Sequence, residues 1–331
     1  EIIIQNNVPT ANYIIFDREN YNEAIDFINN IQDKNTSINN NLAFNFPIVL
    51  KADGLAAGKG VVICQTKEKA EEELTEMFHG KFGEASNKVV IEEYLEGEEV
   101  SIFVITDGND YVLLSPAQDY KKIYDNNQGK NTGGMGSYAP VPFLDEKTKN
   151  EIEINIIQPI IKAMSKRGTP FKGCLYAGLM LTKDGPKVIE FNARFGDPET
   201  QAVLRLIDGD FSKLLYSAAI GKLDKNAIKI INEFACCVVL SSFGYPDEFE
   251  TGFVIEGIDS INDSDVKIYF AGTKIEDRKL LTNGGRVLII SVKNADPKIA
   301  IEKAYVYAEL INFENKYYRK DIARKVLNYL D

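Results

Sequence analysis

Residues 46–65 read Phe-Pro-Ile-Val-Leu-Lys-Ala-Asp-Gly-Leu-Ala-Ala-Gly-Lys-Gly-Val-Val-Ile-Cys-Gln, and the fold turns on whether a strand or a helix comes after the glycines. A phosphate-binding P-loop needs four residues between its glycines, Ser or Thr after its lysine, and then a helix. Here three residues (Leu55, Ala56, Ala57) separate Gly54 from Gly58, and Gly60 comes directly after Lys59. The next residues, Val61-Val-Ile-Cys64, are β-branched and read as a strand. The stretch therefore predicts an antiparallel hairpin whose loop of small residues lets the main chain approach a triphosphate closely. Lys51, at the end of the first strand, is placed to meet a phosphate oxygen. An ordinary glycine-rich turn accounts for the loop equally well.

Outward from the hairpin, apolar spacing predicts helices over 19–31 and 67–78, and strands over 89–95, 100–106 and 111–114. These pieces make one small α+β unit. Residues 116–142 show little periodicity and read as a long irregular segment, of the kind that is usually functional. Helix is expected over 145–166, with Pro159 kinking it, and again over 201–220. Between them lies a hairpin of 175–182 and 187–192. From about residue 226 short strands with turns lead to a closing amphipathic helix at 296–311, which reads as a separate C-terminal domain over 226–331.

The 331 residues are 44% hydrophobic, with 38 Lys plus Arg against 49 Asp plus Glu, a net charge of −11. That balance argues against nucleic acid as a partner. No apolar run approaches the roughly 20 residues needed to span a bilayer, so no membrane association is expected. Cys64, Cys174, Cys236 and Cys237 lack metal-ligand spacing and read as buried free thiols in a reducing, cytoplasmic compartment. His79 is the single histidine. Histidine-based nucleophilic triads and multi-histidine metal sites are thereby excluded, leaving carboxylates, Lys, Arg, Asn and backbone groups for any chemistry.

Three further segments carry such groups. In Val89-Val-Ile-Glu-Glu-Tyr-Leu-Glu-Gly-Glu-Glu99, backbone near Glu93 and Leu95 suits a base edge, and Glu98 or Glu99 suits ribose hydroxyls; a solvated acidic turn is the plainer reading. In Lys187-Val-Ile-Glu-Phe-Asn-Ala-Arg-Phe-Gly-Asp-Pro-Glu-Thr200, alternation puts Glu190 and Asn192 on one strand face. Their Cα atoms are then about 7 Å apart, a spacing that suits Mg²⁺. Arg194 can stabilise a transferring phosphoryl group, and Asp197 and Glu199 offer charge to an ammonium. A polar surface strand explains Glu190 but not the cluster after it. Finally, Gln118-Asp119-Tyr-Lys-Lys122 with Asn131-Thr-Gly-Gly-Met-Gly136 forms a nest-like loop for a carboxylate or phosphate, or an unliganded glycine loop.

In this order the segments closely resemble the phosphoribosylamine–glycine ligase family, and FAGTK, TNGGRVL and YRKDIA extend the resemblance over nearly the whole chain. The resemblance implies an α+β ATP-grasp fold over 1–225, with a small lobe at about 46–108, then a smaller C-terminal α/β domain. It implies ligation of glycine to 5-phosphoribosylamine through a glycyl phosphate, using ATP and Mg²⁺ or Mn²⁺. Carried over by residue, Lys51, Gly54, Gly58, Lys59 and Gly60 hold the ATP phosphates, while Glu92, Glu93, Leu95 and Glu99 hold the adenosine. Glu190 and Asn192 hold the metal; Arg194, with Lys51, serves phosphoryl transfer. Asp119, Lys122, Asn131, Thr132, Gly133, Gly134, Met135, Asp197 and Glu199 position the substrates. The expected state is a monomer or homodimer.

Members of that family begin with a further α/β domain of about one hundred residues. It has no counterpart ahead of Glu1, so an N-terminally truncated chain is expected. The competing expectations are an impaired ATP–Mg²⁺ binding fragment and another ATP-grasp carboxylate–amine ligase or bicarbonate-phosphorylating carboxylase component.

Overall fold

A computed structural model describes residues 1–31, 37–38, 42–54 and 60–329. Gly58 and Lys59 of the expected phosphate loop lie outside the described residues. Contacts divide the chain into two compact units. One comprises Pro9–Gly97 with Thr182–Lys187; the other comprises Glu1–Val8, Glu98–Leu181 and Val188–Asp331.

The first unit is built on an antiparallel sheet ordered Tyr13–Asp17, Lys88–Glu93, Ile48–Ala52, Val61–Cys64. The opening hairpin is present, with Lys51 opposite Val61. Alternation turns Ile48, Leu50, Val89 and Ile91 to one face, where they pack with residues of helices Tyr21–Asn29 and Lys67–Phe78. Thr66 starts the second helix by accepting from the Lys69 N–H at 3.3 Å. Its Ala70, Leu74, Met77 and Phe78 are buried, as the spacing predicts. His79 ends that helix, Nδ1 lying 2.7 Å from the Thr75 carbonyl.

A four-stranded sheet is ordered Gly185–Asn192, Gly173–Thr182, Glu98–Thr106, Tyr111–Leu113 and belongs to the second unit except for Thr182 and Gly185–Lys187. A larger sheet runs Val266–Phe270, Arg286–Asn294, Phe234–Ser242, Gly136–Ala139, Gln118–Asp119. Ser137 pairs opposite Cys237, so the stretch after residue 226 shares a sheet with residues 118–139. Phe234–Ser242 is buried along its whole length and forms the centre of this core.

Three expectations change. The 116–142 segment is ordered by short strands: Gln118–Asp119, Lys122–Tyr124, Gln128–Asn131 and Gly136–Ala139. Strands of two to four residues are too short to show alternation in sequence. The 201–220 helix is split into Thr200–Val203, a tight turn, strand Ile207–Gly209 and helix Phe211–Ala219. Gly209 breaks it, at φ +108° with the Ala227 carbonyl 2.4 Å from where a Cβ would sit, and Asp210 caps the next helix through the Lys213 N–H at 2.8 Å. In the 145–166 helix the turn before Pro159 is a π-helical segment, Glu153–Ile157.

All four cysteines are free and buried. Burial pushes the Cys64 thiol up to about 11 and those of Cys174 and Cys237 to about 12, which leaves them unreactive. No described helix is long and apolar enough to cross a membrane.

Candidate active site

In the first unit, the sheet face opposite the helices carries the Lys51–Glu92 ion pair, Nζ to Oε2 2.6 Å. The register sets Lys51 beside Val61 and Val90, and Val49 beside Glu92 and Ile63. Ile15, Val61 and Ile63 are exposed. An aliphatic β-surface with one lysine at its centre suits a nucleotide, the base lying on apolar side chains and the ammonium meeting a phosphate.

Two neighbours expected to hold ATP are occupied otherwise. Glu93 points to the opposite face. Its Oε1 accepts from the Asn12 N–H at 3.1 Å and from Lys187 Nζ at 2.9 Å, and its Oε2 from Asn12 Nδ2 at 3.0 Å. Even its own N–H is spent on the Asn12 carbonyl, at 2.9 Å. The Glu93 carboxylate is therefore a staple within the unit rather than a free adenosine contact. Gly54 donates its N–H to the Ala85 carbonyl at 2.9 Å, and a Cβ there would lie 2.5 Å from Ala85 Cα. Close backbone packing, not phosphate binding, is what requires glycine here. Gly60 is buried, with its carbonyl accepting from the Ala52 N–H at 2.8 Å. Leu95 is half-buried after the strand.

In the second unit an acid-rich cluster surrounds Lys121. Its ammonium contacts Glu99. Burial works to discharge it, but Asp119 and Glu99, with Glu190 adding, outweigh burial and hold its pKa above the ordinary value. Asp119 shows the converse. Burial, opposed by Lys121 and reinforced by Glu199 and Glu99, pushes its carboxyl up to about 8. Groups whose pKa values are pushed apart by burial and neighbouring charge mark this cluster as a candidate functional site.

Glu190 and Asn192 end the hairpin strand side by side, Asn192 Nδ2 donating to Glu190 Oε1 at 3.0 Å. Glu190 is exposed, and the pair keeps one carboxylate and one amide oxygen for a ligand. Two hard oxygens on one strand face fit Mg²⁺ or Mn²⁺, which complete their shells with water and phosphate. The described residues hold no cluster of three His, Cys, Asp or Glu with metal-binding geometry. Arg194 is exposed and donates to the adjacent Phe195 carbonyl, at 3.0 Å.

The Asn131–Gly136 loop is fixed from behind. Gly134 sits at φ +106°, and a Cβ there would fall 2.3 Å from Pro198 Cδ. Thr132 Oγ1 donates to the Lys121 carbonyl at 2.8 Å and accepts from the Gly134 N–H at 3.0 Å. The Gly133 N–H goes to Tyr245 Oη at 2.9 Å. Met135 is fully buried with its N–H on the Tyr120 carbonyl at 2.8 Å, so its side chain anchors the loop from the core. Asn131 stays exposed, and Lys122 stands opposite it across the ribbon.

Sequence reasoning passes over the residue that ties this loop to Asp197. Arg286 NH1 donates to the Gly133 carbonyl at 2.6 Å and the Asp197 carbonyl at 3.0 Å, and NH2 to Asp197 Oδ2 at 3.1 Å. Arg286 lies in the TNGGRVL stretch, but nothing there marks it as a site residue, because its partners are 153 and 89 positions away. Glu199 is 3% exposed and accepts from Tyr176 and Ser101, two further residues without a signal of their own.

Residues 1–200 match the phosphoribosylglycinamide synthetase ATP-grasp (A) domain, and residues 235–325 match the C domain of the same family. The phosphoribosylamine–glycine ligase of Caldanaerobacter subterraneus subsp. tengcongensis is 45% identical over 98% of this chain and 74% of its own length. That of Leptospira interrogans is 42% identical over 98% and 73%. Among solved structures, the Thermotoga maritima phosphoribosylamine–glycine ligase superposes with a TM-score of 0.84 at 34% identity, covering 97% of this chain and 76% of that one. An ATP-analogue complex of Campylobacter jejuni biotin carboxylase shares the fold, with a TM-score of 0.69 at 16% identity over 95% of this chain and 66% of that one. The fold is ATP-grasp, and the chain belongs to the phosphoribosylglycinamide synthetase family.

Proposed function

We propose that this chain joins glycine to 5-phosphoribosylamine in purine biosynthesis, with ATP converted to ADP and phosphate. A glycine carboxylate oxygen attacks the γ-phosphorus and ADP leaves. The amine then attacks the carbonyl carbon of glycyl phosphate, phosphate departs, the nitrogen loses a proton, and glycinamide ribonucleotide forms. Lys51 holds phosphate oxygens and Glu92 keeps that lysine aimed across the sheet face. Leu95 and Glu99 serve the adenosine. Glu190 and Asn192 hold Mg²⁺ or Mn²⁺, which neutralises phosphate charge when bound. Arg194 balances charge in phosphoryl transfer. Asp119, Lys122, Asn131, Thr132, Gly133, Gly134, Asp197 and Glu199 position glycine and the sugar amine. Catalysis of this kind is mainly positioning and electrostatics, which suits a site without histidine.

The observation that carries this reading is the Glu190–Asn192 pair, 3.0 Å apart, in a chain that matches the ATP-grasp and C domains of the family. Four buried free thiols favour a cytoplasmic setting. The test is ADP release by the purified chain with ATP, Mg²⁺, glycine and freshly generated phosphoribosylamine. Release that needs both glycine and the amine is expected. Release that proceeds without glycine, or that bicarbonate supports in its place, would overturn the assignment.

A further inference from the structure

Tyr176 stands inside the core at 4% exposure, on the strand Gly173–Thr182. Its Oη donates to Glu199 Oε1 at 2.8 Å, and Ser101 Oγ donates to the same oxygen at 3.2 Å. The two hydroxyls lie 2.9 Å apart. Ser101 is 1% exposed and Glu199 3%, so three polar groups close a triangle almost out of water. A carboxylate buried this deeply is costly unless donors hold it, and two hydroxyls also confine it to one rotamer.

Both hydroxyls choose Oε1. Among the described residues no donor meets Oε2, yet that oxygen is not one of the sealed, unpartnered buried atoms, so it keeps access from outside. Gly196 packs against the carboxylate so closely that a Cβ there would come within 2.7 Å of Oε2 and 2.9 Å of Oε1, which closes that side. Asp119 lies close enough to feel the Glu199 charge. We propose that Tyr176, assisted by Ser101, is a positioning residue that fixes Glu199 so that Oε2 receives the ammonium of glycine. This rests on the ligase reading. It adds a reason for a buried phenol behind the site: rotation of Glu199 by one rotamer would withdraw the charge that orients glycine.

Tyr176→Phe removes the hydroxyl and keeps the ring, whose centroid lies 4.6 Å from that of Phe103. The expected result is a KM for glycine raised about tenfold, with the KM for ATP within about twofold and a Tm lowered by only a few degrees, since Ser101 still holds the carboxylate. Ser101→Ala carries the same test with a smaller shift if Tyr176→Phe fails to fold. In parallel, calorimetry measures glycine binding in the presence of Mg²⁺ and a non-hydrolysable ATP analogue; wild type binds and Tyr176→Phe binds about tenfold more weakly. Unchanged glycine constants in an active variant, or equal loss for glycine and ATP, sink the positioning role and leave the ligase reading standing. Glycine binding weakened by the substitution in a protein that makes no product sinks the ligase reading instead. Wild type that binds no glycine overturns the positioning role outright.

Discussion

Lys51 and Glu93 come from neighbouring strands of one sheet, yet alternation sends them to opposite faces. Their substitutions should therefore fail differently. Lys51→Met is expected to raise the KM for ATP at least tenfold at little change in Tm, because it removes the charge we propose meets phosphate. Glu93→Ala deletes the acceptor of three bonds and is expected to lower stability by about 2 kcal/mol while leaving nucleotide affinity close to wild type. Titration with a fluorescent ATP analogue and urea unfolding separate the two outcomes. Asp119 makes a pH prediction. Its folded carboxyl is raised from 3.8 to about 8, so between those values the folded chain keeps a proton that the unfolded chain has lost. Stability then falls as pH rises through that window and levels off above it. Asp119→Asn should remove this part of the slope, so in metal-free buffer its stability relative to wild type should be higher at pH 8 than at pH 5. An equal difference at both would refute the raised value.

At the scale of elements, the Asn131–Gly136 loop is held by Thr132, Tyr245, Arg286 and a glycine that cannot be replaced. Gly134→Ala places a Cβ against Pro198 at a φ that L-residues rarely adopt. It is expected to lower stability by about 1–3 kcal/mol and to reduce turnover far more than ATP binding, read by unfolding and steady-state kinetics. This loop also marks the limit of what sequence makes legible. The helix Lys67–Phe78 and the hairpin at Lys51 are readable because apolar period and β-branching are local signals. The split at Gly209 is not, because a strand of three residues pairing with Ile228–Ile230 is invisible to periodicity. Arg286, Tyr176 and Ser101 acquire meaning only when distant strands come together. That the Glu93 carboxylate is spent on Asn12 and Lys187 is not readable in sequence, because its motif reports which residue is present, not which face its side chain takes.

At the scale of the whole molecule, one unit presents an aliphatic sheet face with a single lysine–glutamate pair. The other presents carboxylates around a lysine and the hydrogen-bonded Glu190–Asn192 pair. Net charge of −11 gives no general attraction for phosphate, so anion binding falls to such local groups. The central claim is that ATP activates the carboxylate of glycine. Glycine labelled with oxygen-18 in its carboxylate, turned over with ATP and phosphoribosylamine, tests it most directly. Transfer of one labelled oxygen to inorganic phosphate for each ADP formed is the predicted result; ADP and product formed with unlabelled phosphate would contradict it.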